Sequence, residues 1–164
     1  MMNDLQQQME QEKSVLRWGG LAGMLGGILF ILVMVFVGVF VPPDPDNLAE
    51  WVARFPDIHA ARVVENGIYL MALILEVPLF LALYVALRKT SLAPALFGSV
   101  IGILGLAAMI VSTTPHVAHA PLSDLYHAPG ATPADQATLA LLWQATWGIF
   151  NAMLYVGFFV VPAG

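Results

Sequence analysis

Apolar and polar positions along this chain fall into long blocks rather than a fine alternation. Four apolar runs, residues 18–41, 67–87, 92–111 and 139–161, contain a single charged side chain between them, Glu76. Crossing about 30 Å of hydrocarbon takes about 20 residues of helix, at about 1.5 Å per residue, and each run reaches that length. Backbone groups in lipid have to be satisfied within their own segment, so each run is expected to be an α-helix. The blocks therefore predict an all-α, polytopic transmembrane helical bundle with four membrane-spanning helices. A polar tail occupies 1–17, a transmembrane domain occupies 18–164, and longer connections fall at 42–66 and 112–138. The first run is far longer than the apolar part of a secretory signal, about 7–15 residues, and no A-x-A-like site follows it. It is expected to remain as an anchor.

Shorter signals subdivide the connections. The tail has only a thin apolar stripe (Leu5, Met9, Leu16) and reads as a frayed segment. In VPPDPDN, Asp44 can cap a helix that has Pro45 at its first position. Leu48, Trp51, Val52 and Phe55 then repeat at i, i+3, i+4 and i+7, which predicts a short helix lying in the membrane interface. Pro56 and Asp57 restart the chain, and the second long helix is expected from near Ile58. Residues 115–131, with Pro115, Pro121 and the Pro129-Gly130 turn, read as an irregular loop. Thr132, Pro133 and Asp135 then form a capping box that opens the fourth helix ahead of its apolar run. Gly19, Gly23 and Gly27 in the first run, and Gly98, Gly102 and Gly105 in the third, allow close backbone approach. Such seams serve packing within one subunit, a second copy of the chain, or a partner membrane helix.

Composition agrees with the blocks. The 164 residues are 59% hydrophobic and 10% charged, with a mean hydropathy of +0.80, whereas soluble domains are about 25% charged. The lipid bilayer is the expected surroundings. Six Lys and Arg in a chain of net charge −5 cannot supply a phosphate-binding surface, which excludes nucleic acid as a partner. Without cysteine there is no disulfide frame, thiol nucleophile or zinc-thiolate site. Lys13 and Arg17 precede the first run and Arg88 and Lys89 fill the turn after the second, while 115–138 has neither residue type. Cytoplasmic flanks are enriched in Lys and Arg, so the N-terminus and the 88–91 turn are expected inside, with the fourth span returning the chain to that side. Arg54 and Arg62 dissent, but they share their connection with Asp44, Asp46, Glu50, Asp57 and Glu65. All four histidines then fall on the acidic outer face.

Chemistry is expected at two places. Glu76 sits at the centre of the second span, where an ionised side chain is expensive and usually faces protein or water. Twelve Leu, Ile, Phe and Val residues in that span outweigh its insertion cost of about 2.5–3.5 kcal/mol. No Lys, Arg or His lies at its depth, so a neutral Glu76 is expected at pH 7. On the fourth helix Gln144, Gly148, Asn151 and Tyr155 share one stripe, and counting from the span ends puts Asn151 level with Glu76, which predicts a Glu76–Asn151 contact. Pro78 interrupts the helix beside the acid. Tyr69 and Glu65 precede Glu76 on nearly the same face and extend a polar track outward. Glu76, Asn151, Gln144, Tyr69 and Tyr155 are therefore the candidate ligand-binding residues, with a satisfied interhelical hydrogen bond as the structural alternative.

The second place is the histidine group. His116, His119 and His127 with Asp124 could hold a divalent metal, and His59 lies on the other outer connection. No H-E-x-x-H pattern is present, and ordinary loop histidines or a pH response remain the other readings. Trp143 and Trp147 suit an aromatic belt, and Trp147 could also wall a pocket near Gln144. Ser112 and Ser123 lack a G-x-S-x-G elbow, and no phosphate loop or dinucleotide fingerprint occurs. No catalytic residue and no cofactor can be named, and enzymatic activity stays open, with the balance against it.

The segments ARVVENGIYLMALILEVPLFLALYVALR, SLAPALFGSVIGILGLA and PLSDLYHAPGATPADQATLALLWQATWGIFNA resemble a group of uncharacterised bacterial multi-pass membrane proteins known only as a domain of unknown function. The resemblance covers most of the chain and implies a multi-pass protein of the bacterial inner membrane. It carries no reaction, ligand or catalytic residue. Members of that group continue beyond a fourth span, so it also implies a C-terminally shortened member, ending here at VVPAG. The expected function is a small-ligand, proton or ion binding or transport-type bundle around Glu76. A structural or interaction subunit packing through its glycine seams is the alternative, and a metal-dependent enzyme on the outer face is the third.

Overall fold

A computed structural model describes residues 2–43 and 45–163, and among them there are helices and no strands. In chain order the helices are α1 (Met2–Phe40), α2 (Leu48–Ala53), α3 (Phe55–Leu87), α4 (Leu92–Ser112), α5 (Thr114–Tyr126) and α6 (Pro133–Val160), followed by a 3-10 turn at Val161–Ala163. Four stretches are long and apolar enough to cross a membrane: Gln6–Phe40, Phe55–Leu87, Leu92–Tyr126 and Pro133–Ala163. The all-α, four-span architecture read from the sequence is the architecture observed, and the chain is built as a membrane protein.

The long helices stand in an open row. Among the described residues α1 packs on α3 alone, α3 packs on α4, and α4 packs on α6. α5 continues beyond α4 and wedges against α6, and α2 lies across α6 and α5 at the same end. Small residues set the closest approaches. Gly19 lies against the Pro78 carbonyl and Ala82, Gly23 against Leu79, and Gly26 against Ala72 and Glu76. The third member of the first seam is thus Gly26, while Gly27 has open space where a Cβ would be. On α4, Gly102 receives the Phe80 ring and Gly105 receives the Val160–Val161 turn. These seams are occupied within the chain.

Several expectations about the connections are corrected. The tail is not frayed: α1 runs unbroken from Met2, and Glu12 on it accepts hydrogen bonds from Arg88 and Lys89 in the turn after α3. That carboxylate holds the Arg88 pKa above the usual arginine value. The interfacial helix forms as α2, with Asn47 as its cap; Asn47 Oδ1 accepts from the Glu50 amide at 2.8 Å. The cap proposed at Asp44 lies outside the described residues. α3 starts at Phe55 with Pro56 in its first turn, slightly ahead of Ile58, and Pro78 stays inside it.

The largest correction is α5, a helix where an irregular loop was expected. Pro115 sits in its first turn, where no donor is missed. Three successive hydroxyls complete the junction: Ser112 Oγ donates to the Met109 carbonyl at 2.6 Å, Thr113 Oγ1 to Ile110 at 2.7 Å and Thr114 Oγ1 to Val111 at 2.8 Å. The last of these serves the carbonyl that the proline nitrogen cannot. Pro121 lies on the exposed side of α5 next to Val117, so the carbonyl it leaves unserved can be solvated.

α6 opens with the expected capping box, Thr132 with Asp135. Its last turn packs at Gly105, and Gly157 packs at Met109. Gly105 is thirteen residues beyond Leu92, or about 20 Å along α4. α6 is therefore displaced toward the end where the histidines gather, and the four spans are not level.

Candidate functional site

Glu76 is a half-buried residue of α3 facing α1. A Cβ built on Gly26 would lie 2.7 Å from its Oε1 and 3.0 Å from the Ala72 carbonyl, so the bare glycine is what admits the carboxyl between the helices. Gly19, Gly23 and Gly26 recur at i, i+4 and i+7, the spacing of one face over two turns. That spacing could have pointed to Gly26 instead of Gly27. Beside the carboxyl opens a groove of about 290 Å³ lined by Phe30, Leu73, Phe80, Leu106, Met109 and Phe158 among others. Glu76 is the one ionisable side chain on its wall. No hydrogen bond reaches that carboxyl from any described residue. The groove lies between α1 and the last turn of α6, and its floor is α3 and α4.

The partners expected from α6 are elsewhere. The backbones of α3 and α6 do not approach one another, because α4 stands between them; their side chains meet at the histidine end, where Phe55 lies edge-on to Trp143 with ring centroids 4.8 Å apart. Phe158 and Val161 reach the groove, and Asn151 lies seven and ten residues before them, about 10–15 Å away along the helix. The buried positions of α6 are Ala140, Trp143 and Gly157, about one residue's rotation from the Gln144–Gly148–Asn151–Tyr155 stripe. Gln144 and Tyr155 are exposed and Asn151 is half-buried, so the Glu76–Asn151 contact does not form. Gln144 instead borders a shallow depression with Trp51 and Trp147. Tyr69 is buried beside Phe30 and packs with Leu73, Leu106 and Met109, its hydroxyl without a partner. Glu65 pairs with Arg62 at 2.9 Å instead of extending a polar track.

The histidine group also rearranges once α5 is a helix. His116 and His119, at i and i+3, turn inward and are 8% and 1% exposed. Asp124 is exposed, and His127 is exposed with its Nδ1 at 2.8 Å from the Ser123 carbonyl. Among the described residues no three His, Cys, Asp or Glu side chains converge as a metal site. The proposed set of His116, His119, Asp124 and His127 is not assembled, because a helix turns Asp124 to its exposed side and puts His127 about 12–16 Å along the axis from His119 and His116. His119 stacks on Trp143 with ring centroids 4.0 Å apart, and its Nε2 lies 3.0 Å from Thr146 Oγ1. Thr146 donates its only hydroxyl proton to the Trp143 carbonyl at 2.8 Å. Thr146 must then accept from His119, which fixes the Nε2–H tautomer. Trp143 is 3% exposed, a core residue and not part of an aromatic belt.

Comparison of the chain with protein-family models, with curated proteins and with solved structures finds no match.

Proposed function

We propose that this protein is a small-ligand binding or transport-type membrane bundle whose site is the groove at Glu76. The ligand is a lipid-soluble molecule with an apolar body and one hydrogen-bond donor or ammonium group. One observation carries the reading: the only ionisable group on an apolar groove of about 290 Å³ is a carboxyl to which no described residue donates. Inside a membrane such a group keeps a proton or finds a donor, and a ligand entering laterally between α1 and α6 can supply one. Pockets for small molecules are mostly apolar with a few placed polar groups, which this groove matches in kind.

The proposal extends to orientation and location. Lys13, Arg17, Arg88 and Lys89 gather at one end, where Glu12 ties Arg88 and Lys89 to α1, which supports placing that end in the cytoplasm. The resemblance to bacterial multi-pass proteins supports the inner membrane. The glycine seams are filled by the chain's own side chains, which favours the binding reading over an interaction subunit.

A hydrophobic carbodiimide and a photoreactive long-chain alkylamine test the site in native membranes. Mass spectrometry should find the carbodiimide adduct on Glu76, absent in Glu76→Gln. The alkylamine should protect Glu76 from that adduct and crosslink to α1 near Phe30. An unlabelled Glu76, or labelling that the alkylamine leaves unchanged, overturns the reading.

A further inference from the structure

A second groove, of about 230 Å³, runs between α3 and α5 at the histidine end. Phe55, His59, Arg62 and Asn66 line it from α3 at i, i+4, i+7 and i+11, so one face of that helix forms a wall about 16 Å long. His116 lines it from α5. Val63 and Val117 flank it at 57% and 76% exposure. Both walls belong to stretches long and apolar enough to cross a membrane, so the groove opens on an apolar surface.

His116 is the side chain this end of the protein leaves unsatisfied. It is 8% exposed, its Nε2 is buried without a hydrogen-bond partner, and no described residue bonds its other ring nitrogen. Rings pack around it instead: Phe150 with centroids 4.3 Å apart, Trp147 and His119 at 5.3 Å. A neutral imidazole has one N–H to give and one lone pair to fill, and an unmet buried polar group is costly. His116 also borders a cavity of about 20 Å³, room for one water molecule, which can serve one of the two nitrogens. The other is left to the groove. Asn66 adds a half-buried carboxamide that bonds no described residue.

What the walls can answer defines the ligand. No carboxylate lines the groove, and its one guanidinium, Arg62, is held by Glu65 at 2.9 Å and lies over the Trp147 ring. A charged ligand would find no free counter-charge there. The groove-side nitrogen of His116 gives a proton in one tautomer and takes one in the other. A hydroxyl answers both, and it answers the Asn66 carboxamide equally.

We propose that this groove binds a neutral, lipid-soluble alcohol, its hydroxyl at His116 and Asn66 and its apolar body along Phe55, Val63 and Val117. The site is separate from the one at Glu76 and stands without it.

A photoreactive, diazirine-bearing octanol tests this on the purified protein in detergent micelles. Mass spectrometry should find the adduct within residues 55–66 and 116–120. Octanol should block it, and octane at the same concentration in the micelle should not. His116→Phe keeps the ring volume and removes both nitrogens, and Asn66→Leu removes the carboxamide. Each should weaken protection by octanol about fivefold, the worth of one neutral hydrogen bond. Octane protecting as well as octanol, adducts spread over all four spans in proportion to their exposure, or adducts confined to the groove at Glu76 would each overturn the proposal. The wild-type competition decides this even if a variant fails to fold.

Discussion

Gly26 and Gly27 are neighbours in sequence with opposite duties. A methyl at Gly26 would press on Glu76 Oε1 and the Ala72 carbonyl, whereas one at Gly27 meets nothing within 4 Å. Gly26→Ala should therefore cost about 1–3 kcal/mol by overpacking, read as a lower thermal midpoint in micelles, and should reduce carbodiimide labelling of Glu76. Gly27→Ala should melt like the wild type; equal behaviour of the two variants would refute the packing of α1 on α3. Thr146→Val is a second residue-scale test. It keeps the shape but leaves His119 Nε2–H without its acceptor, at a cost of about 1–3 kcal/mol. That Glu76 sits against a neighbouring helix was legible in the sequence, because one acid in a long apolar run is expensive anywhere in a bilayer. Its neighbour was not, because the facing surface depends on which helices adjoin in the row, and connection lengths do not specify that order.

At the scale of elements, hydrogen bonds at helix ends decide what forms. The Thr132–Asp135 box closes the start of α6, and Thr132→Ala should cost about 1 kcal/mol. Hydrogen exchange should show it as faster exchange at the Asp135 amide with little change in the middle of α6. Spans, α2 and this box were all legible, since run length, apolar spacing and a four-residue cap are local patterns. α5 was hidden behind Pro115 and Pro121, which read as breakers. Both are tolerated for reasons visible only in three dimensions: one opens α5 just after hydroxyls have served the last carbonyls of α4, and the other faces outward. As a loop, residues 115–131 would leave the histidines scattered, whereas the helix buries His116 and His119 and leaves Asp124 outside.

For the whole molecule, α1 is the least anchored part of the row. It has one partner helix and a tie at its polar end, where Glu12 meets Arg88 and Lys89. These side chains are 24–68% exposed, so solvent screens the tie. Glu12→Gln should lower the thermal midpoint slightly at low salt and not at high salt; a large, salt-independent loss would show that the tie is more than an exposed ion pair. The offset of α6 was not legible either, because span lengths fix the thickness each helix crosses but not its height beside its neighbours.

The three hydroxyls at the α4–α5 junction have a mechanical consequence. A helix usually resists bending because each carbonyl would lose its amide, but here Met109, Ile110 and Val111 each hold a donor on a rotatable side chain. The backbone can flex at that joint with its polar groups still served. Any tilt of the histidine-bearing half relative to the membrane-crossing half should pivot at residues 112–114, and replacing the hydroxyls there with methyl groups should stiffen or fracture the pivot.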